Sequence, residues 1–136
     1  MGIVSTRVRK QVYRKCDGRC AYCGKPIEFS QMQVDHLAPT YWNWSDEECI
    51  KNNVTRGTDH IENLMPTCRR CNKWKDVHDI EVFRQQIFKQ FEILVRDNTG
   101  YKLLLDFGLI APTGKQPVFY YETMYGFNKV TQRTTA

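Results

Sequence analysis

The sequence predicts a small α+β domain stapled by a structural zinc ion, with a basic helix before it and a helical extension after it. Three observations carry that prediction. Cys20-x-x-Cys23 and Cys68-x-x-Cys71 are a matched pair of cysteine knuckles. Between them Gln31–Leu37 alternates as a strand does, with Met32, Val34 and His36 on one face and Asp35 on the other. From Asp79 to about Asp97, Ile80, Phe83, Ile87, Phe91 and Leu94 recur on one helical stripe. A chain of 136 residues holds one such domain with an extension rather than two full domains.

Taken in order, residues 5–15 (STRVRKQVYRK) read as a basic helix, since Val8 and Val12 lie four apart, Ser5 or Thr6 can cap it and Asp17-Gly18 can end it. In the first knuckle, Cys20–Gly24, the glycine can take the positive φ of a tight turn. Lys25–Phe29 and Gln31–Leu37 are expected to pair as a short hairpin. Residues 38–60 are a polar loop long enough to carry function or an inserted turn of helix. The second knuckle should open a helix. Beyond the helix at 79–97, a short helical stretch is expected around Tyr101–Phe107, then a β-prone run, PVFYYETM, from Pro117. The tail from Asn128 is expected to fray. The organisation is thus a basic N-terminal helix (1–18), a core (19–78) and a helical extension with a short C-terminal β element (79–136).

Composition narrows the function. With 41% hydrophobic and 26% charged residues the chain can build a core. No stretch approaches the roughly 18 consecutive apolar residues of a membrane span, and the N-terminus turns basic before a secretory apolar run could form. The expected setting is therefore cytoplasmic, in a host cell or a virus-infected cell. There six cysteines serve metal binding more readily than disulfides. The net charge of +5 is unevenly spread. Residues 1–25 carry seven basic side chains against one acid, and residues 69–75 carry Arg69, Arg70, Lys73 and Lys75 with none. Two basic patches suit a polyanion such as DNA or RNA, although solvated helix faces look the same.

Two residues between cysteines let both thiolates of a knuckle reach one ion, and two knuckles complete a four-cysteine zinc site from Cys20, Cys23, Cys68 and Cys71. The 44 residues between the pairs exceed the usual spacing of about 15–20, so something else is built inside the zinc loop. Cys16 and Cys49 break the spacing and read as spare thiols. A redox role for all six cysteines is the competing use.

Within that loop and just past it stand Asp35, His36, Asn63 and Asn72. The Asp35 carboxylate and the Asn72 amide oxygen would suit a hard divalent cation, leaving room for water and phosphate oxygens. His36, facing away from Asp35, could accept a proton from an attacking water. Taken singly, a surface salt link and a hydrogen-bonded core histidine are the commoner fates of such residues. Tyr41, Trp42 and Trp44 could stack on bases but more often close a small core. His60 and His78 read as surface histidines. Arg69, Arg70 and Lys73, beside Asn72, are placed for phosphate contacts.

The ordered set CAYCG, VDHLAP and IENLMPTCRRCNKWK resembles the HNH endonuclease family, in its four-cysteine subclass, over about residues 16–76. The resemblance implies a ββα-metal finger and metal-dependent hydrolysis of double-stranded DNA that leaves a 5′-phosphate. By it, His36 is the general base and Asn63 shapes the loop. Asp35 and Asn72 hold a catalytic Mg2+ or Mn2+, and Lys75 lies where a phosphate contact is expected. The sequence departs from the family in two places. The loop from His36 to Asn63 is long, and Asp76-Val77-His78 replaces the usual glycines, which bears on substrate choice. The rival reading is a zinc module that binds nucleic acid without cutting it. The helix at 79–97 packs on the finger or forms a homodimer.

Overall fold

The computed structural model describes residues 4–124. Helix α1 (Thr6–Lys15) starts where the Ser5 hydroxyl accepts from Val8 N at 3.2 Å and stops where Asp17 and Gly18 take positive φ, as its flanking residues predict. Val12 is fully buried and shares a core cluster with Met32 and Leu64. Two basic side chains of α1 turn inward. Arg9 donates to Phe29 O and Met32 O, and Lys15 donates to Ile61 O and Leu64 O. Burial pushes the Lys15 ammonium below its ordinary range. The basic face of α1 left to solvent is Arg7, Lys10 and Arg14.

Strand β1 (Gln33–His36) runs antiparallel to β2 (Leu64–Thr67), with Gln33 opposite Thr67 and His36 opposite Leu64. This corrects the expected hairpin. Phe29–Gln31 is a 3₁₀ turn, and Pro26 makes an isolated bridge back to Arg19. The distant pairing wins because β2 leads straight into Cys68 and carries the second knuckle to the first. Leu37 N donates to Asn63 O at 2.9 Å, which continues the ladder past the strands. In that register Val34 and Pro66 form a non-hydrogen-bonded pair, where a proline without an N–H loses nothing. The Pro66 carbonyl instead accepts from Ala21 N at 2.8 Å and docks the first knuckle against β2.

The long loop does contain a turn of helix, α2 (Asp46–Lys51), opened by a Ser45–Glu48 capping box. Arg56 ties the rest down, donating to Thr40 O, Tyr41 O and Trp44 O and pairing with Asp46. Tyr41 and Trp44 lie against one another at 4.9 Å, while Trp42 is 67% exposed. Helix α3 (Arg69–Lys75) begins within the second knuckle, with Cys68 as its N-cap and Cys71 in its first turn.

The helix expected over 79–97 is two, α4 (Ile80–Phe88) and α5 (Gln90–Asp97), interrupted at Lys89. The halves serve different neighbours. In α4, Phe83 is 2% exposed and packs with Tyr22 and Phe119, whereas Phe91 of α5 meets Tyr101 of α6 (Thr99–Asp106). α4 uses its apolar face within the chain, while Phe91 and Leu94 of α5 are 42% and 37% exposed, and the homodimer expected through this stripe finds no support. The β-prone run is also corrected: Tyr120–Met124 is helical, α7. Glu122 accepts from Phe119 N and receives two bonds from the Arg84 guanidinium, so tertiary partners override strand propensity. The tail from Asn128 lies outside the described residues. Among those described, no helix is long and apolar enough to cross a membrane.

Candidate metal centres and active site

The sulfurs of Cys20, Cys23, Cys68 and Cys71 all lie within 4.8 Å of one another, and those of Cys23 and Cys68 are 3.9 Å apart. Zinc at about 2.3 Å from each ligand needs sulfurs about 3.8 Å apart, whereas a disulfide needs about 2.05 Å. The four thiols can hold a zinc ion. Local backbone builds each half of the site. Gly24, at φ +77°, donates to Cys20 O at 3.0 Å to close the first knuckle. Cys68 caps α3 and accepts from Cys71 N at 3.4 Å. Hydrogen bonding from Cys71 draws the Cys20 thiol down to about 4 against the opposing effect of burial, and the same contact drives Cys71 far up. Cys16 and Cys49, both buried, are not members of the cluster.

A second centre is built where α3 crosses β1. The two elements match in pitch: Gln33 and Asp35 share one strand face, and Asn72 and Lys75 share one helix face. Asn72 Nδ2 donates to Gln33 Oε1, and Lys75 Nζ lies 2.9 Å from Asp35 Oδ2. Tyr22 Oη donates to the same Oδ2 at 2.6 Å. Both groups thus fall on one oxygen of Asp35, leaving Oδ1 clear, and the bond to Gln33 uses the amide nitrogen of Asn72 and leaves its oxygen clear. Burial and the neighbouring Asp35 charge raise the Tyr22 phenol well above its usual range, so it stays a donor.

His36 points to the other face of the strand. Its Nε2 lies 2.7 Å from Asp59 Oδ1; the imidazole is 9% exposed and the Asp59 side chain 85%. Asn63 stands at the base of this loop, where its side chain accepts from Ala38 N at 2.8 Å and donates to Ala38 O and Thr58 O. It thereby clamps the segment after His36 to the segment before Asp59.

Lys75 is the residue whose expected place is corrected. It is 0% exposed, bonded to Asp35 and, at 2.8 Å, to His36 O, so its ammonium cannot meet a phosphate without leaving the core. Arg69, Arg70 and Lys73 are on α3, with Arg70 and Lys73 exposed and Arg69 reaching the groove beside Gln33. The Arg70 guanidinium is raised by hydrogen bonding to the Cys71 sulfur. Sequence patterns do not single out Asp59 or Tyr22. Asp59 is one acid among several in a polar loop, and no spacing rule links it to His36. Gln33 does follow from strand alternation with Asp35.

Fold and site together define a two-stranded finger closed by a four-cysteine cluster, with one helix crossing the sheet and an Asp-His pair at its centre. Residues 20–77 match the model of the HNH endonuclease family. The chain is similar to the CRISPR-associated endonuclease Cas9 of Corynebacterium diphtheriae, 36% identical over 67 residues that make up 49% of this chain and 5% of that protein. The crystal structure of the Type II-C Cas9 enzyme from Actinomyces naeslundii is also similar, at 25% identity and a TM-score of 0.48, covering 63% of this chain and 9% of that one. The chain therefore spans only a small part of the length of either relative.

Proposed function

We propose that the protein is a metal-dependent endonuclease that hydrolyses DNA phosphodiester bonds. The observation that carries this reading is the crossing of α3 over β1, which leaves one oxygen of Asp35 and one of Asn72 unclaimed on the same face. These are hard donors of the kind Mg2+ or Mn2+ takes. Once bound there, the ion would supply charge stabilisation to the scissile phosphate and the departing 3′-oxygen.

The remaining work belongs to this chain's side chains. His36 takes a proton from water at its unbonded Nδ1 as the water oxygen attacks phosphorus, and the cut leaves a 5′-phosphate. Lys75 and Tyr22 hold Asp35 from behind through Oδ2, which fixes the direction of its other oxygen. Asn63 fixes the loop on the far side of His36. A groove of about 920 Å³, lined by Arg9, Phe29, Gln31, Gln33 and Arg69 among others, reaches Gln33 at the edge of this site. It offers a path for the sugar-phosphate backbone, with Arg69 and Lys73 as phosphate contacts. The reading also draws on the similarity to Cas9, whose name states an endonuclease.

Supercoiled plasmid incubated with the zinc-loaded protein tests the proposal. Conversion to open or linear circles with Mg2+ or Mn2+, and none with chelator, is the expected result. Retardation of DNA without cleavage under either ion would leave a zinc-dependent nucleic-acid-binding module in its place.

A further inference from the structure

We infer that Asp59 is the positioning residue of the proposed base, fixing both the tautomer and the orientation of His36. This inference rests on the role proposed for His36. The imidazole is almost fully covered, so its ring angle is set by its contacts, and the side-chain contact it makes is Nε2 to Asp59 Oδ1 at 2.7 Å. A carboxylate can only accept. When the imidazole is neutral, its proton must then sit on Nε2, and the lone pair that takes a proton from water must be the one on Nδ1. As Nδ1 gains that proton, the Nε2–H stays bonded to Asp59, whose charge faces the new imidazolium. The water oxygen, freed of its proton, bonds to phosphorus and the 3′-oxygen departs with the electron pair of the broken bond.

An aspartate 85% exposed on a loop would be a poor guide if the loop were loose. It is tied on both sides. Gly57 N donates to Pro39 O at 2.7 Å, and Asn63 Nδ2 donates to Thr58 O at 2.7 Å and to Ala38 O at 3.0 Å. His60 N, just beyond, donates to Thr58 Oγ1. Gly57 has no room for a side chain, because a Cβ there would run into the Ala38 carbonyl. The long loop between His36 and Asn63 is thereby folded back so that residue 59 returns to residue 36. Asn63 clamps the loop, and Asp59 is what the clamp delivers.

Two measurements on the zinc-loaded full chain test this. The first is a 1H–15N correlation of the histidine side chains at a pH where the imidazole is neutral. His36 should show one tautomer, protonated at Nε2, with that proton slow to exchange; in Asp59→Ala the proton should exchange quickly and both tautomers should appear. The second is plasmid cleavage. Asp59→Ala should lower kcat about 10- to 100-fold with little change in KM, the scale of loss seen when a supporting carboxylate is removed. Asp59→Asn, which keeps an accepting oxygen at the same place, should recover much of the rate and the single tautomer. A wild-type proton on Nδ1, or a tautomer and kcat both unmoved in Asp59→Ala, overturns the inference. If the wild-type protein does not cleave at all, the proposed function fails, while the spectrum still decides the role of Asp59 in holding His36.

Discussion

At the scale of single residues, the buried Lys75–Asp35 pair is the feature on which both stability and chemistry converge. Two charges out of water are tolerable because each has hydrogen bonds besides its partner: Lys75 to His36 O, Asp35 to Tyr22 Oη. Removing one leaves the other stranded. Lys75→Met is expected to cost about 3–5 kcal/mol in urea unfolding of the zinc-loaded protein; a loss under about 1 kcal/mol, the scale of an exposed pair, would mean the pair is not closed in solution. Tyr22→Phe removes one bond to a charged group and is expected to cost about 1.5–3 kcal/mol in the same experiment. Asp76 gives a test of opposite sign. It sits at φ +52° and ψ −133°, where a β-carbon is strained, at a position where the family resemblance leads one to expect glycine. Asp76→Gly should therefore raise stability by about 1 kcal/mol. None of these environments could be read from spacing alone. Asp35, His36 and Asn72 stand out in the sequence as chemically able residues. A lysine with the look of a surface phosphate contact is instead buried, because α3 turns that face onto β1.

At the scale of elements, the helices with good caps were legible and the strand pairing was not. α1 follows from Ser5, Val8, Val12 and Gly18, all local signals. β1 was legible as a strand, yet its partner lies about thirty residues away, and only the closure of the zinc site selects it. The stripe from Ile80 to Leu94 reads as one helix because periodicity does not report a change of neighbour at Lys89. PVFYYETM reads as a strand because its partners, Arg84 and Phe83, are distant in sequence. The loop between β1 and β2 can be tested as a unit. Arg56 bonds to three loop carbonyls and to Asp46, so Arg56→Ala should open residues 38–56 to limited proteolysis while zinc content stays unchanged. Simultaneous loss of zinc would mean that the loop and the staple are not separate units.

At the scale of the whole molecule, the four-cysteine cluster and the proposed catalytic site are given separate tasks. The cysteine cluster joins the first knuckle to α3 and so sets the height at which α3 crosses β1. The Asp35–Asn72 face and His36 then lie on opposite sides of one strand, held by that staple. Zinc removal should therefore unfold the finger rather than merely silence it. A structural zinc of this kind is worth about 10–16 kcal/mol at neutral pH, and the loss of far-ultraviolet ellipticity on chelation is the expected readout. Acid should do the same, since protons compete with zinc for each thiolate. The measurement that tests the central claim most directly is the rate of plasmid cleavage by zinc-loaded wild-type protein and zinc-loaded His36→Ala, with Mg2+ or Mn2+ present. A drop of about 100- to 10,000-fold in the variant is expected if His36 is the base, measured at a temperature where both proteins stay folded. Equal rates in the two proteins would contradict the account.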